Sequence, residues 1–248
     1  MSNSGHSSNR QTPARPDSEL RQTGTPSLDD MLRNSIWARD LDPVAFDNVR
    51  GQITERRVAP GEHVCHQGRS AVHWIGVIEG LVKLTGVSPE GKTVTFTGVN
   101  AGGWFGEGSL LKDEPRRYDG CAVGHTRVAL MPRSTFSWLL DNSIAFNRFL
   151  LHQLNERLGL FISMVGYDRM LRPEARVARC LATLFNPYLY PNSSLSLQLS
   201  QEDVAQLAGM SRQRVNQALR ELEEAGLLNV EYGRINVRDL AALEAYDG

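Results

Sequence analysis

A chain of 248 residues with 41% hydrophobic content can build one large core or two smaller ones, which excludes a wholly unfolded protein. Its formal net charge of -1 excludes a protein that coats nucleic acid indiscriminately, because such binding needs a broad basic surface. No run approaches the roughly 20 apolar residues of a membrane span, and the opening MSNSGHSSNR lacks a signal-peptide core, so a cytoplasmic protein without a membrane partner is expected.

Residues 1–27 are rich in Ser, Asn, Gln, Arg and Pro without hydrophobic periodicity, and a disordered tail is expected there. Leu28, Met31, Leu32, Ile36 and Trp37 then recur at helical spacing, and residues 43–49 make a second short helical piece. From residue 53 to 131 the texture changes to short alternating runs punctuated by Gly or Pro: VAPGEHVCHQG, VHWIGVIEGLVKLTGV, SPEGKTVTFTGV and AGGWFGEGSLL. Such strands predict a β-roll domain over residues 28–142, with Pro89, Glu90 and Gly91 at a hairpin tip.

His63, His66 and His73 invite comparison with cupin-type enzymes, which hold a metal inside a similar roll. Residues three apart on a strand point to opposite faces, and no His-x-His pair occurs, so neither a metal site nor a metal-dependent enzyme is expected. Cys65, Cys121 and Cys180 stand far apart with no CxxC pair, which disfavours a zinc ribbon, an iron–sulfur cluster or a disulfide framework. Reduced packing residues are expected.

Helical patterning returns over residues 143–170, where Leu151, Leu154, Leu158, Phe161 and Val165 follow alternating steps of three and four. Gln153, Asn155, Glu156 and Arg157 keep that stripe narrow, which favours the seam of a parallel homodimer over burial of a lone helix. Gly159 and Gly166 each cost about 1 kcal/mol inside a helix, so a close approach by the roll is expected there. Pro173 opens another helix with Val177, Cys180, Leu181 and Leu184 on its apolar face, inside a C-terminal domain of residues 171–248. The Pro, Asn and Ser stretch at 186–194 reads as a loop within that domain.

Residues 199–237 look like a winged helix-turn-helix. Ser200 followed by an acid three residues on predicts a capped first helix carrying Val204, Leu207 and Ala208 on one face, and Gly209 permits a sharp exit. Ser211 caps a second helix whose stripe of Val215, Ala218, Leu219 and Leu222 packs inward. Arg212, Gln213, Arg214, Asn216 and Gln217 then face outward, and all are side chains that bond base edges or phosphates. An ordinary solvated helix face intersperses both signs of charge, and no acid interrupts this one. Two strands joined at Tyr232 and Gly233 make the wing.

A β-roll, a long dimer helix and a C-terminal winged helix-turn-helix together resemble the Crp/Fnr superfamily of bacterial transcription regulators. The likeness covers nearly everything after residue 28 and is carried by APGEHVCHQG, WFGEGSLL and SQEDVAQLAGMSRQRVNQALRELEEAGLL. It implies an α+β protein: a jelly-roll domain like those that bind cyclic nucleotides, a dimerisation helix, and a DNA-binding domain. It also implies an effector site at Gly106, Glu107, Gly108 and Ser109, with a phosphate-binding arginine at Arg116 or Arg117 and adenine-facing positions at Phe161 and Ile162.

Departures from the family pattern set the remaining expectations. Tyr118 and Asp119 stand where small residues would admit a phosphate, and an acid there repels one. Neither Phe161 nor Ile162 can donate to adenine. Weak or no cyclic-AMP binding is therefore expected, with no cofactor, leaving another small effector or a constitutive regulator with a vestigial pocket. No cysteine precedes residue 65, so the cluster-based oxygen sensing of some members is excluded. Arg212 is retained at a base-reading position and suits guanine O6 and N7, while Gln213 and Gln217 replace an acid and an arginine, so the base preference differs. Ser200 and Ser211 match backbone-contacting positions. The implied partners are double-stranded DNA, read as a pseudo-palindromic site, a second copy of the chain, and RNA polymerase.

Overall fold

A computed structural model of the chain describes residues 26–247 apart from 89 and 92. All but the last two residues of the expected tail, and Pro89 of the expected hairpin tip, lie outside the described residues. Helix α1 (Leu28–Asn34) starts at a capping box made by Ser27 and Asp30, and a 3-10 turn (Ile36–Ala38) and α2 (Pro43–Gln52) follow.

Eight strands and one short helix come next: β1 (Thr54–Val58), β2 (His63–Cys65), β3 (His73–Glu79), β4 (Leu81–Val87), β5 (Thr93–Asn100), β6 (Trp104–Phe105), α3 (Glu107–Leu111), β7 (Asp119–Ala122) and β8 (Thr126–Pro132). They pair into two four-stranded sheets, β1-β8-β3-β6 and β2-β7-β4-β5. Every pairing is antiparallel. Alternation sends Val58, Ile75, Val77 and Val128 of one sheet against Val82, Leu84, Val99 and Ala122 of the other. Between His63 and Cys65 the register with β7 shifts, and β2 then ends. That break overturns the expectation that His63 and His66 point to opposite faces, because strict alternation no longer applies.

Helices α4 (Arg133–Asn142) and α5 (Ile144–Met170) join α1 on the outer side of the first sheet. Trp37, Trp74, Trp104, Phe136 and Phe146 interlock there, with ring centroids 4.3 to 5.8 Å apart. Each such pair adds about 0.5 to 1.5 kcal/mol beyond burial. The cluster also explains Gly76 in the middle of β3, since a Cβ there would lie 2.6 Å from Met31 Cε and 2.9 Å from the Trp104 ring.

At 27 residues, α5 is about 40 Å long. The roll packs on the side of it that carries Gln153, Arg157, Leu160 and Met164. Gly159 faces away from that side with nothing within 4 Å of a built Cβ, and Gly166 meets only Met170 of its own helix. The close approach expected at these glycines does not occur within the chain.

The C-terminal half contains α6 (Pro173–Thr183), β9 (Ser196–Leu197), α7 (Gln201–Ala208), α8 (Arg212–Glu224), β10 (Leu228–Glu231), β11 (Arg234–Val237) and α9 (Leu240–Ala245). Val177, Leu181, Val204, Leu207, Val215, Leu219, Leu222 and Leu243 close its core. β9 adds a third strand to the wing hairpin, which the sequence pattern did not announce.

The segment at 186–194 is more than a loop within this domain. Asn186 Oδ1 accepts from the amides of Tyr188 and Leu189, and the resulting turn sends Leu189 and Tyr190 into the core of the roll. Tyr188 stacks on Phe149 of α5 at 5.7 Å. A polar contact joins the halves as well: Lys83 of β4 donates to Gln206 Oε1 at 2.6 Å and lies 3.5 Å from Asp203 Oδ1, both on α7.

Candidate nucleic-acid interface and ligand cavity

The turn between α7 and α8 is fixed by local chemistry. Ser200 and Asp203 cap each other's backbone amides at the start of α7. Gly209 takes the left-handed conformation, φ 63°, that ends the helix without a Cβ clash. Ser211 Oγ accepts from Arg214 N and starts α8.

Burial of Val215, Ala218, Leu219 and Leu222 turns the opposite side of α8 to solvent. Arg212, Gln213, Arg214 and Gln217 are exposed there, and among the described residues neither arginine has an ion-pair partner. Gln217 Nε2 donates to Glu221 Oε1 at 3.1 Å. Asn216 stands at the edge of this face, half-buried with Oδ1 turned inward and unpartnered. Arg212 also lines a groove shared with Ser200, Gln201, Tyr232 and Gly233, so the first turn of α8 and the wing form one surface. The wing brings exposed Tyr232 and Arg234 to that surface. Sequence reasoning left both out, although a hairpin tip carrying an aromatic and an arginine was itself a signal.

A second site lies between the roll and α5. It is a cavity of about 290 Å³ with walls including Leu84, Phe96, Val99, Tyr118, Leu160, Phe161, Met164 and Tyr190, and Arg157 and Thr97 at its polar side. Burial, reinforced by Glu107, holds the Tyr118 phenol above its ordinary value. Glu107 is buried and its Oε1 pairs with Arg157 Nη1 at 3.2 Å. Arg157 and Gln153 both donate to Trp104 O. Desolvation is the largest single influence on Arg157 and opposes its charge, but Glu107, Tyr190 and Tyr118 together overcome it and the guanidinium pKa is raised.

The residues expected at the effector site separate in the structure. Gly106 to Ser109 open α3, where Ser109 Oγ donates to Pro115 O at 3.4 Å. Arg116 is the inward arginine: it is 5% exposed, its Nη2 donates to His73 O at 2.6 Å, and its Nη1 is buried without a partner where a Cβ on Gly106 would fall. Arg117 is corrected out of the site, because it faces solvent in a bidentate pair with Glu114. Ile162 is also corrected: it is 65% exposed and lines no part of its own chain's cavity, whereas Phe161 does.

Asp119 is not the repelling acid expected beside the ligand. Alternation along β7 buries Gly120 and Ala122 and turns Asp119 outward, where Oδ1 accepts from Gln67 N at 2.8 Å. All three cysteines are free, and burial pushes the Cys180 thiol up to about 12. No helix among the described residues is long and apolar enough to cross a membrane.

Comparison with known proteins identifies both halves of the chain. Residues 55–143 match the cyclic nucleotide-binding domain and residues 175–246 match the Crp-like helix-turn-helix domain. The chain is 28% identical over 216 residues to the cyclic AMP receptor protein of Thermus thermophilus, covering 86% of this chain and 97% of that relative. It is 24% identical over 216 residues to the CRP-like cAMP-activated global transcriptional regulator of Mycobacterium tuberculosis, covering 86% and 96%. A solved Crp-family transcriptional regulator, also from Thermus thermophilus, superposes with a TM-score of 0.56 at 27% identity, covering 77% of this chain and 95% of that one. The chain belongs to the Crp/Fnr superfamily, a family of transcription regulators, and is a DNA-binding transcription regulator of that type.

Proposed function

We propose that the regulator acts as a homodimer whose two α8 helices enter successive major grooves about 34 Å apart on a pseudo-palindromic site. The observation that carries this is the uncovered stripe on α5. Leu151, Leu154, Leu158, Phe161 and Val165 are between 39% and 68% exposed. A contiguous apolar ridge of that length calls for a partner, and a second α5 supplies a matching one. Arg212, Gln213, Arg214 and Asn216 carry the base contacts of this reading, with Ser200, Ser211 and Gln217 fixing position on the backbone. By family resemblance the setting is the cytoplasm, with RNA polymerase as a further partner.

On the effector side, the proposal is a small, largely apolar molecule other than cyclic AMP. Its support is the aliphatic and aromatic wall of the cavity and the absence of a donor on Phe161. A constitutive regulator is the second reading, favoured by the Glu107–Arg157 pair: the acid of the implied effector site already has a partner within the chain.

Selection of bound duplexes from a random DNA pool tests these points, first without nucleotide and then with cyclic AMP. A two-fold symmetric motif enriched without ligand supports the dimer and the constitutive reading. A single unsymmetric half-site overturns the dimer, and a motif that appears only with cyclic AMP overturns the exclusion of that nucleotide.

A further inference from the structure

His63 and His66 stand on the same side of the second sheet, with imidazole centroids 4.5 Å apart and ring planes 21° from parallel. Asp119 joins them from the first position of β7, its Oδ1 3.6 Å from His66 Nδ1. One ligand atom from each of the three lies within 4.8 Å of the other two. Two imidazoles and a carboxylate are a donor set that borderline divalent ions take, with the remaining positions left to water.

The framework beneath these side chains is tied down. Gln67 N donates to Asp119 Oδ1 at 2.8 Å and aims the carboxylate before any ion arrives. The turn that carries His66 is fixed by Gly68 N to Arg116 O at 2.8 Å and Arg116 N to Arg69 O at 2.9 Å. Arg56 Nη2 donates to Val64 O at 2.8 Å and holds the strand between the two histidines. His63 and His66 are themselves exposed, so no packed neighbour blocks a change of rotamer toward solvent. Donors around a tetrahedral ion at about 2.0 to 2.1 Å stand roughly 3.3 Å apart, so side-chain rotations of about 1 to 2 Å complete the set.

We propose that His63, His66 and Asp119 form a site for a divalent transition-metal ion of the Zn²⁺ type on the outer face of the roll. The site is separate from the ligand cavity, since Asp119 points out where Ala122 of the same strand points in. It borders the contact between the two halves. Cys121 pairs in register with both His63 and Lys83, and Lys83 is the residue that holds Asp203 and Gln206 of α7.

The test uses full-length protein without a polyhistidine tag, stripped with chelator and titrated with Co²⁺ and then Zn²⁺. The expected result is one Co²⁺ per chain with visible ligand-field bands, no thiolate charge-transfer band, and displacement by Zn²⁺. His63→Ala and His66→Ala should each lower the affinity by more than about tenfold, Asp119→Asn should weaken it while keeping an oxygen for Gln67 N, and Cys121→Ser should leave it unchanged. Far-UV circular dichroism and the thermal midpoint check each variant's fold, and truncating exposed histidines leaves no cavity. Absence of Co²⁺ uptake, uptake unchanged in the doubly substituted H63A/H66A protein, or a thiolate band would each overturn the site.

Discussion

The phenol of Tyr190, in the segment that follows α6, donates to Gly98 O of β5 at 2.9 Å, so a residue from the DNA-binding half closes the ligand cavity of the roll. Burial raises the pKa of that hydroxyl, which therefore stays a donor. Tyr190→Phe should lower stability by about 1 kcal/mol, the net worth of one hydrogen bond, and leave the packing intact. Tyr190→Ala should cost about 3 to 5 kcal/mol through the void it opens. Thermal denaturation of both variants checks this. Equal losses would mean that the ring contributes nothing beyond its hydroxyl.

The features that could be read in the sequence are those whose cause is local. Ser200 with Asp203, Gly209, Ser211 and the stripe from Val215 to Leu222 each act within a few residues, so the helix-turn-helix and its outward face follow from short-range chemistry. Tyr190 could not be read that way, because its partner Gly98 is 92 positions distant and no periodicity encodes the pairing. The two histidines failed for another reason: alternation is a rule about regular strand, and β2 breaks its register after His63. Arg116 and Arg117 were ambiguous until the structure set one against His73 O and the other against Glu114.

The exposed stripe on α5 predicts a defined defect. Leu158 is 58% exposed, so Leu158→Glu should leave each chain folded while placing like charges face to face across the proposed seam. Sedimentation velocity should show a shift toward monomer, and affinity for a two-half-site duplex should fall much more than affinity for a single half-site. A variant that remains dimeric would place the interface elsewhere.

Arg212 and Arg234 should separate reading from holding. Arg212 sits in the first turn of α8, and Arg212→Ala should cost about 1 to 3 kcal/mol and relax preference at one base pair. Arg234 opens the second wing strand, and Arg234→Ala should weaken all sequences alike and reduce the salt slope by about 1. Binding titrations at several salt concentrations, on matched and single-mismatch duplexes, distinguish the two. A uniform loss for Arg212→Ala would make it a phosphate contact.

Glu107 and Arg157, the second of which lines the cavity, tie α3 to α5, and the carboxylate is almost fully buried. Arg157→Met leaves that charge unpaired, at a cost of about 3 to 5 kcal/mol. The double variant with Glu107→Gln should recover much of the loss, since a neutral amide needs no counter-ion. Denaturant titration of the two singles and the double gives the coupling directly. Additive losses would show that the two side chains act independently.

His73 supplies a pH dependence whose sign follows from its surroundings. Desolvation first, then Arg116 and Arg56, hold its imidazole below the ordinary value of 6.5. The unfolded chain therefore binds this proton more readily than the folded one, so stability rises with pH through the window between the two values. The contribution is complete above 6.5 and is lost as the pH falls toward the depressed folded value. His73→Gln should flatten the fall in thermal midpoint over that window while leaving the steeper carboxylate-driven loss at lower pH in place. An unchanged slope as the pH falls below 6.5 would assign the acid sensitivity to other groups.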